Sequence, residues 1–209
     1  IKTFGGEYDD RFTQVIPAMN GGFIAAGYAK WKENLPTSPM LVKYDVNGNM
    51  LWAVTELPYD VRRINDVCED ANGNICVVAS KSRVLFINGE YIEEVHRYIF
   101  IYDAKGKLLR DKEISDMVVS NVVFLKDSSI VLCGMTQEKY YKYDHDGMLR
   151  IYNSKGELVF NKIFQGNGDE RFNNVLATSD GGFLVTGTYI NSTEGAGFLE
   201  LGVSDPEGD

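Results

Sequence analysis

Short apolar and β-branched runs of five to seven residues recur along the whole chain, each bounded by Gly, Asn, Asp or Ser. Runs of that length between turn-forming residues predict strands rather than helices. The runs near 11–18, 63–70, 118–125 and 171–178 each lead into a tight turn: Asn20-Gly21-Gly22, Asn72-Gly73, Asp127-Ser128-Ser129 and Asp180-Gly181-Gly182. These turns hold residues that tolerate positive φ, which lets a hairpin close. A second set of turns lies at Asp45 to Gly48, Asp103 to Gly106, Asn153 to Gly156 and Asp205 to Gly208. The first three precede Leu51-Trp52, Leu108-Leu109 and Leu158-Val159.

The pattern is a repeat. The segment FGGEYDDRFTQVIPAMNGGFIAAG at 4–27 returns as FQGNGDERFNNVLATSDGGFLVTG at 164–187, with two weaker copies between them. Aligning Phe12 with Ile64, Val119 and Phe172 gives spacings of 52, 55 and 53 residues. Each copy reads as four strands, a to d. Strand a is apolar at both parities, so both faces of each small sheet need cover, which face-to-face packing of neighbouring sheets around an axis provides. The expected fold is all-β: a β-propeller of four four-stranded antiparallel blades in one domain over 1–209. The repeats fall near 5–57, 58–114, 115–164 and 165–209 plus 1–4. Ile1 to Phe4 aligns with Asn161 to Phe164, the end of strand d, and is predicted to complete the last blade, closing the ring and pairing an open edge. A monomer is expected. The alternatives are a piece of a longer array and a dimer that completes an eight-blade ring.

A net charge of −9 argues against nucleic acid or anionic lipid as the partner. No apolar run approaches the ~20 residues of a membrane-spanning helix, so no membrane insertion is expected. The chain opens at Ile1 with neither an initiator Met nor a signal-peptide pattern, which suggests processing or excision. Cys68, Cys76 and Cys133 lie in apolar runs and are expected to be buried thiols, with a Cys68–Cys76 bridge as the alternative. His96 and His145 sit in no Ser-His-Asp or Cys-His setting, and Tyr143 to Gly147 reads as an acidic turn rather than a calcium loop. No metal or cofactor is expected.

The motifs Phe4-Gly5-Gly6, Asp9 to Phe12, Asn20 to Gly27 and Leu41 to Trp52 resemble those of bacterial cell-envelope or secreted β-propeller repeat proteins. The resemblance covers essentially the whole chain, although copies two and three lack the FGG and Ser204 replaces the Tyr of Tyr44, Tyr102 and Tyr152. It implies the fold and an extracellular or envelope location, with the cytoplasm as the alternative, and no activity. The c–d segment is also similar to the tryptophan-docking motif of quinoprotein propellers. Its Asp-to-Gly spacing is one residue shorter and only Trp52 supplies the Trp, so no quinone is carried over.

Chemical variety concentrates on the face expected to hold the d–a and b–c connections, the latter at about 28–39, 80–97, 135–148 and 188–197. These connections carry Tyr28, Trp31, Phe86, Tyr91, Tyr140, Tyr141, Tyr143 and Tyr189, candidates to stack on sugars or anchor a partner. Arg11, Arg63 and Arg171 occupy one column at the start of strand a, with Val118 in the remaining copy. A polar belt follows, in which Gln14, Asp66, Asn121 and Asn174 share a column beside Thr13, Asn65, Ser120 and Asn173. Converging guanidiniums would suit a carboxylate or sulfate. In the competing structural reading, each Arg pairs with acids in its own d–a loop, such as Asp9, Asp10, Asp60 or Glu170, and the belt ties blade to blade.

The function expected is a non-catalytic binding module of a bacterial envelope or secreted protein, taking a glycan, peptide or protein. The alternatives are a glycoside-hydrolase-like enzyme and a structural spacer. The enzyme would need an acid and base pair, of which the belt offers only Asp66, with Asp10, Asp60 and Glu170 as rim candidates.

Overall fold

The computed structural model describes residues 4–5, 7–87, 89–137, 145–166, 168–191 and 195–203. The first repeat forms β1 (Arg11–Pro17), β2 (Phe23–Ala29), β3 (Ser38–Tyr44) and β4 (Met50–Val54), and the second β5 (Arg63–Glu69), β6 (Ile75–Ile87), β7 (Glu90–Tyr102) and β8 (Leu108–Glu113). The third forms β9 (Met117–Phe124), β10 (Ile130–Thr136), β11 (Gly147–Tyr152) and β12 (Leu158–Phe164). The fourth contributes β13 (Asp169–Ala177), β14 (Phe183–Asn191) and β15 (Gly195–Val203). Every sheet is an antiparallel meander in chain order, three of them four-stranded and the last three-stranded among the described residues. The outer strand expected from Ile1 to Phe4 falls mostly on residues outside those described.

The turn chemistry read from the sequence is present. Asp45, Asp70, Asp103 and Asn153 each use one side-chain oxygen to accept the backbone N–H groups two and four residues on. Gly48, Gly73, Gly106 and Gly156 close these turns at positive φ. Ser128 takes the same conformation in the third a–b turn at φ 63°.

Each strand a bulges at one site. The register slips between Phe12 and Gln14, Ile64 and Asp66, Val119 and Asn121, and Phe172 and Asn174, leaving Thr13, Asn65, Ser120 and Asn173 as the extra residues. The polar belt is therefore the bulge, where a strand bends and re-aims its side chains. The bend brings strand a so close to strand b that a Cβ at Gly27 would lie 1.9 Å from the Arg11 carbonyl oxygen, and one at Gly134 1.9 Å from that of Val118. The second repeat admits Ala79 at this place, opposite Ile64.

One departure concerns the second b–c connection, expected as a loop over 80–97. Instead β6 and β7 continue as a ribbon to Ile87 and Glu90, with Arg83 opposite Glu94 and Phe86 opposite Tyr91. The charged pair and the aromatic pair, with ring centroids 4.9 Å apart, give the ribbon the cross-strand contacts a loop would lack.

The described chain divides into two compact units, 1–114 and 115–209, at the boundary between the second and third repeats. In the first unit, Ile24, Leu41, Ile75, Val77 and Phe100 form a core between the first and second sheets. Trp52 donates its indole N–H to the Ala104 carbonyl at 3.0 Å and lies against Gly106, so a tryptophan of one repeat docks on the c–d turn of the next. Beneath it, Lys43 pairs with Glu69 at 2.5 Å, the two side chains 4% and 2% exposed, and Glu69 also accepts the Met19 N–H at 2.6 Å. In the second unit, Leu149, Ile151, Phe172, Val175 and Val185 form the corresponding core.

No disulfide joins the cysteines. Cys76 and Cys133 are buried. Cys68, directly opposite Cys76, is only half-buried, which corrects the expectation for that residue: it lies at the penultimate position of β5, beside the turn.

Candidate functional site

The bulges of β1 and β5 place Arg11, Gln14, Arg63 and Asp66 on one cavity of about 760 Å³ in the first unit. Tyr28 and Thr37, from the ends of β2 and the b–c connection, complete its wall together with Thr13, Asn65, Asp9 and Arg62. Asp66 forms its floor. It is buried at 4% exposure and accepts hydrogen bonds from the Gln14 side-chain amide and the Val67 N–H. This carboxylate is a tie between two repeats and is already engaged.

The arginines behave differently from one another. Arg11 and Arg63 are exposed on the cavity, and among the described residues no hydrogen bond or ion pair engages either guanidinium. Two of the acids expected to neutralise them have other partners: Asp10 accepts the Lys30 N–H, and both oxygens of Asp60 accept from Arg62 at 2.9 Å. Arg171, in the second unit, follows the structural alternative. Its Nε and a terminal nitrogen donate to the two oxygens of Asp169 at 3.1 and 2.6 Å. The third member of the arginine column is thus consumed locally.

The remaining predicted residues are dispersed. Asn121 accepts the Val175 N–H at 3.0 Å, tying the third repeat to the fourth, and Asn174 is exposed on β13. Trp31 packs edge-on against Phe4 at 6.2 Å. Tyr91 stands 71% exposed near the tip of the β6–β7 ribbon, and Tyr141 lies outside the described residues. Among the enzyme candidates, Glu170 is buried in the second unit. Sequence reasoning missed Arg62, whose signal was its position directly before the repeated Arg63.

Asp60 reaches Arg62 because of a strained turn. Tyr59 and Asp60 both sit in the left-handed region, at φ 63° and 56°, a conformation that costs a non-glycine residue about 1–2 kcal/mol. Compensation comes from Tyr59, which stacks on Tyr98 at 4.8 Å and donates its hydroxyl to Asp111. Lys81 adds a hydrogen bond to the Tyr59 carbonyl at 2.8 Å.

No protein-family model and no curated protein matches this chain. Solved structures do. The chain is similar to a structure described as the Dos1 propeller (TM-score 0.51, 14% identity, 94% of this chain and 49% of that one). It is also similar to an ACO/RPE65 chimera (TM-score 0.55, 11% identity, 90% and 47%). The sheets are propeller-like blades. The chain spans about half the length of each of these structures, and the likeness concerns the fold alone.

Among the described residues, no three His, Cys, Asp or Glu side chains converge as a metal site requires, and no helix is long and apolar enough to cross a membrane. Two ion-paired carboxyls of the second unit are depressed. The Arg171 guanidinium holds Asp169 below the usual carboxylate range, and Arg150 does the same to Asp116. An unfolded Asp binds its proton near pH 4, so between that pH and the lower folded values the unfolded state carries more protons. Stability from these pairs is complete above about pH 4 and falls as pH drops further. Hydrogen exchange across β9 and β13 should therefore accelerate, after correction for intrinsic rate, below about pH 4 in the wild type. In a D116N/D169N variant that extra acceleration should be absent; equal acid sensitivity in the two proteins would contradict the assignment.

Proposed function

We propose that the chain is a non-catalytic binding module whose ligand site is the first-unit cavity between the starts of β1 and β5, and that it recognises an anionic group. The observation that carries this reading is the pair of guanidiniums, Arg11 and Arg63, which line one cavity without a hydrogen-bond or ion-pair partner among the described residues. A guanidinium offers five N–H donors in a fixed fork, matched to the oxygens of a carboxylate or sulfate. Tyr28, Thr13, Thr37 and Asn65 beside them provide a ring and neutral hydrogen-bonding groups to orient what carries the anion. The one buried carboxylate of the cavity, Asp66, is held by Gln14 and Val67, which suits a structural tie better than a general acid or base.

The same proposal takes the blades to form a closed four-bladed ring completed by Ile1 to Phe4, in a secreted or envelope protein. Its support is Phe4, which joins a cluster with Phe12 and Phe23. Phe164, its equivalent three repeats later, packs edge-on against Phe172 at 5.0 Å.

Equilibrium binding of a panel of carboxylated and sulfated glycans tests the site. An R11Q/R63Q variant should lose at least about tenfold in affinity for every anionic binder, since each charge-assisted hydrogen bond contributes about 1.5–3 kcal/mol. Binding should weaken with salt. Anionic binders that hold the variant as tightly as the wild type would refute the reading.

A further inference from the structure

A second cavity of about 370 Å³ lies in the same unit, lined by Asp60, Arg62, Lys81, Ser82, Arg83 and His96. Arg62 lines both cavities, so the two are neighbours at this residue. Their combined wall carries Arg11, Arg62, Arg63, Lys81 and Arg83 against the carboxylates Asp9, Asp60 and Asp66, an excess of positive charge in a chain whose net charge is −9. Cations gathered on one surface of an acidic protein focus the field there.

Not all of these charges are available. Arg62 is held by Asp60 and Arg83 by Glu94, while His96 lies between Glu94 and Glu113. The cations without a carboxylate partner are Arg11 and Arg63 at one end and Lys81 at the other. Among the described residues the Lys81 ammonium meets only the Tyr59 carbonyl, leaving two of its three donors open. The arrangement is two separated anion-accepting positions with a neutralised Arg–Asp pair between them.

Resting on the anion site proposed above, we infer that this surface binds a carboxylated oligosaccharide, with one carboxylate at Arg11 and Arg63 and another, farther along the same chain, at Lys81. A saccharide fits better than an acidic peptide because of what lies between the charges. The first cavity offers hydroxyl and amide side chains, Thr13, Thr37 and Asn65, and is lined also by the aromatic residue Tyr28. Sugars present hydroxyls and an apolar ring face to such a wall, whereas peptide complexes add apolar anchor pockets or an open sheet edge to the arginines that take their acids. Ile64, the one aliphatic side chain lining either cavity, is itself buried.

The test is calorimetric titration of the full chain with galacturonate as monomer, trimer and hexamer, alongside a neutral glucose hexamer and a glutamate hexapeptide. The inference expects affinity to rise at least about tenfold from monomer to hexamer as the second carboxylate engages. It expects the neutral hexamer to bind worst and the peptide to bind more weakly than the galacturonate hexamer. K81Q, which keeps a hydrogen bond to the Tyr59 carbonyl within reach, should remove that gain. Length-independent binding that R11Q/R63Q abolishes would overturn the two-position surface while leaving the anion site standing. Tighter binding of the peptide would overturn the saccharide assignment. Absence of binding by every anionic probe, with the fold intact by circular dichroism, would overturn both.

Discussion

Lys43→Met should destabilise the first unit by about 3–5 kcal/mol, the range for removing one partner of a buried ion pair. Lys43 and Glu69 are almost completely excluded from water. Without the ammonium, Glu69 keeps the Met19 N–H but loses its counter-charge. It must then take up a proton or draw in water, and either event costs more than the lost contact itself. The contrast is the double change K43M/E69L. Replacing the whole pair with apolar side chains leaves no buried charge, and such replacements are often neutral or stabilising, so much of the single-variant loss should return. Trp31 and Trp52 both lie in this unit, so tryptophan fluorescence during urea unfolding reads the effect. A K43M midpoint equal to that of the wild type would show that the pair is not buried as described.

Phe172→Ala should weaken the second unit by a comparable amount, about 3–5 kcal/mol for a buried phenylalanine. The ring is 1% exposed and meets Phe164 edge-on, with interplanar angle 89°. Its seat is shaped by Gly147, where a Cβ would lie 2.9 Å from the ring, so that wall has no side chain to move into the space. Amide exchange in β13 and β14 should rise more than about a hundredfold, since each 1.4 kcal/mol is a factor of ten. Protection that survives the substitution would place this ring outside the stabilising core.

Local features of the fold were legible because each depends on residues close in sequence. The Asn, Asp and Gly turns fix where each hairpin closes, and the alignment of Phe12 with Phe172 places strand a of every repeat within two residues of where it lies. The β6–β7 ribbon escaped because the stretch from Ser80 to Arg97 mixes charges with apolar residues. Those charges stabilise the ribbon only once Arg83 stands opposite Glu94, a pairing across the strands.

The buried ion pair escaped for a related reason. Lys43 sits in the apolar run of β3, and that misplaced charge was the available signal, but its partner Glu69 lies 26 residues on in another sheet. For the site, composition could bring Arg11, Arg63 and Arg171 into one column and could not say which had counter-ions. That was decided by Asp169, two residues before Arg171, a position filled in the first copy by Asp9 and in the second by Val61. Asp9 lines the cavity without pairing to Arg11.

The central claim is that two particular guanidiniums await an anion, and the side-chain Nε–H resonances of the arginines report it directly. Titrating the labelled chain with sulfate and with galacturonate should shift the Arg11 and Arg63 signals together along one saturable curve, while Arg171, held by Asp169, stays in place. Equal, unsaturable drifts of all three signals, or a saturable shift confined to Arg171, would contradict it.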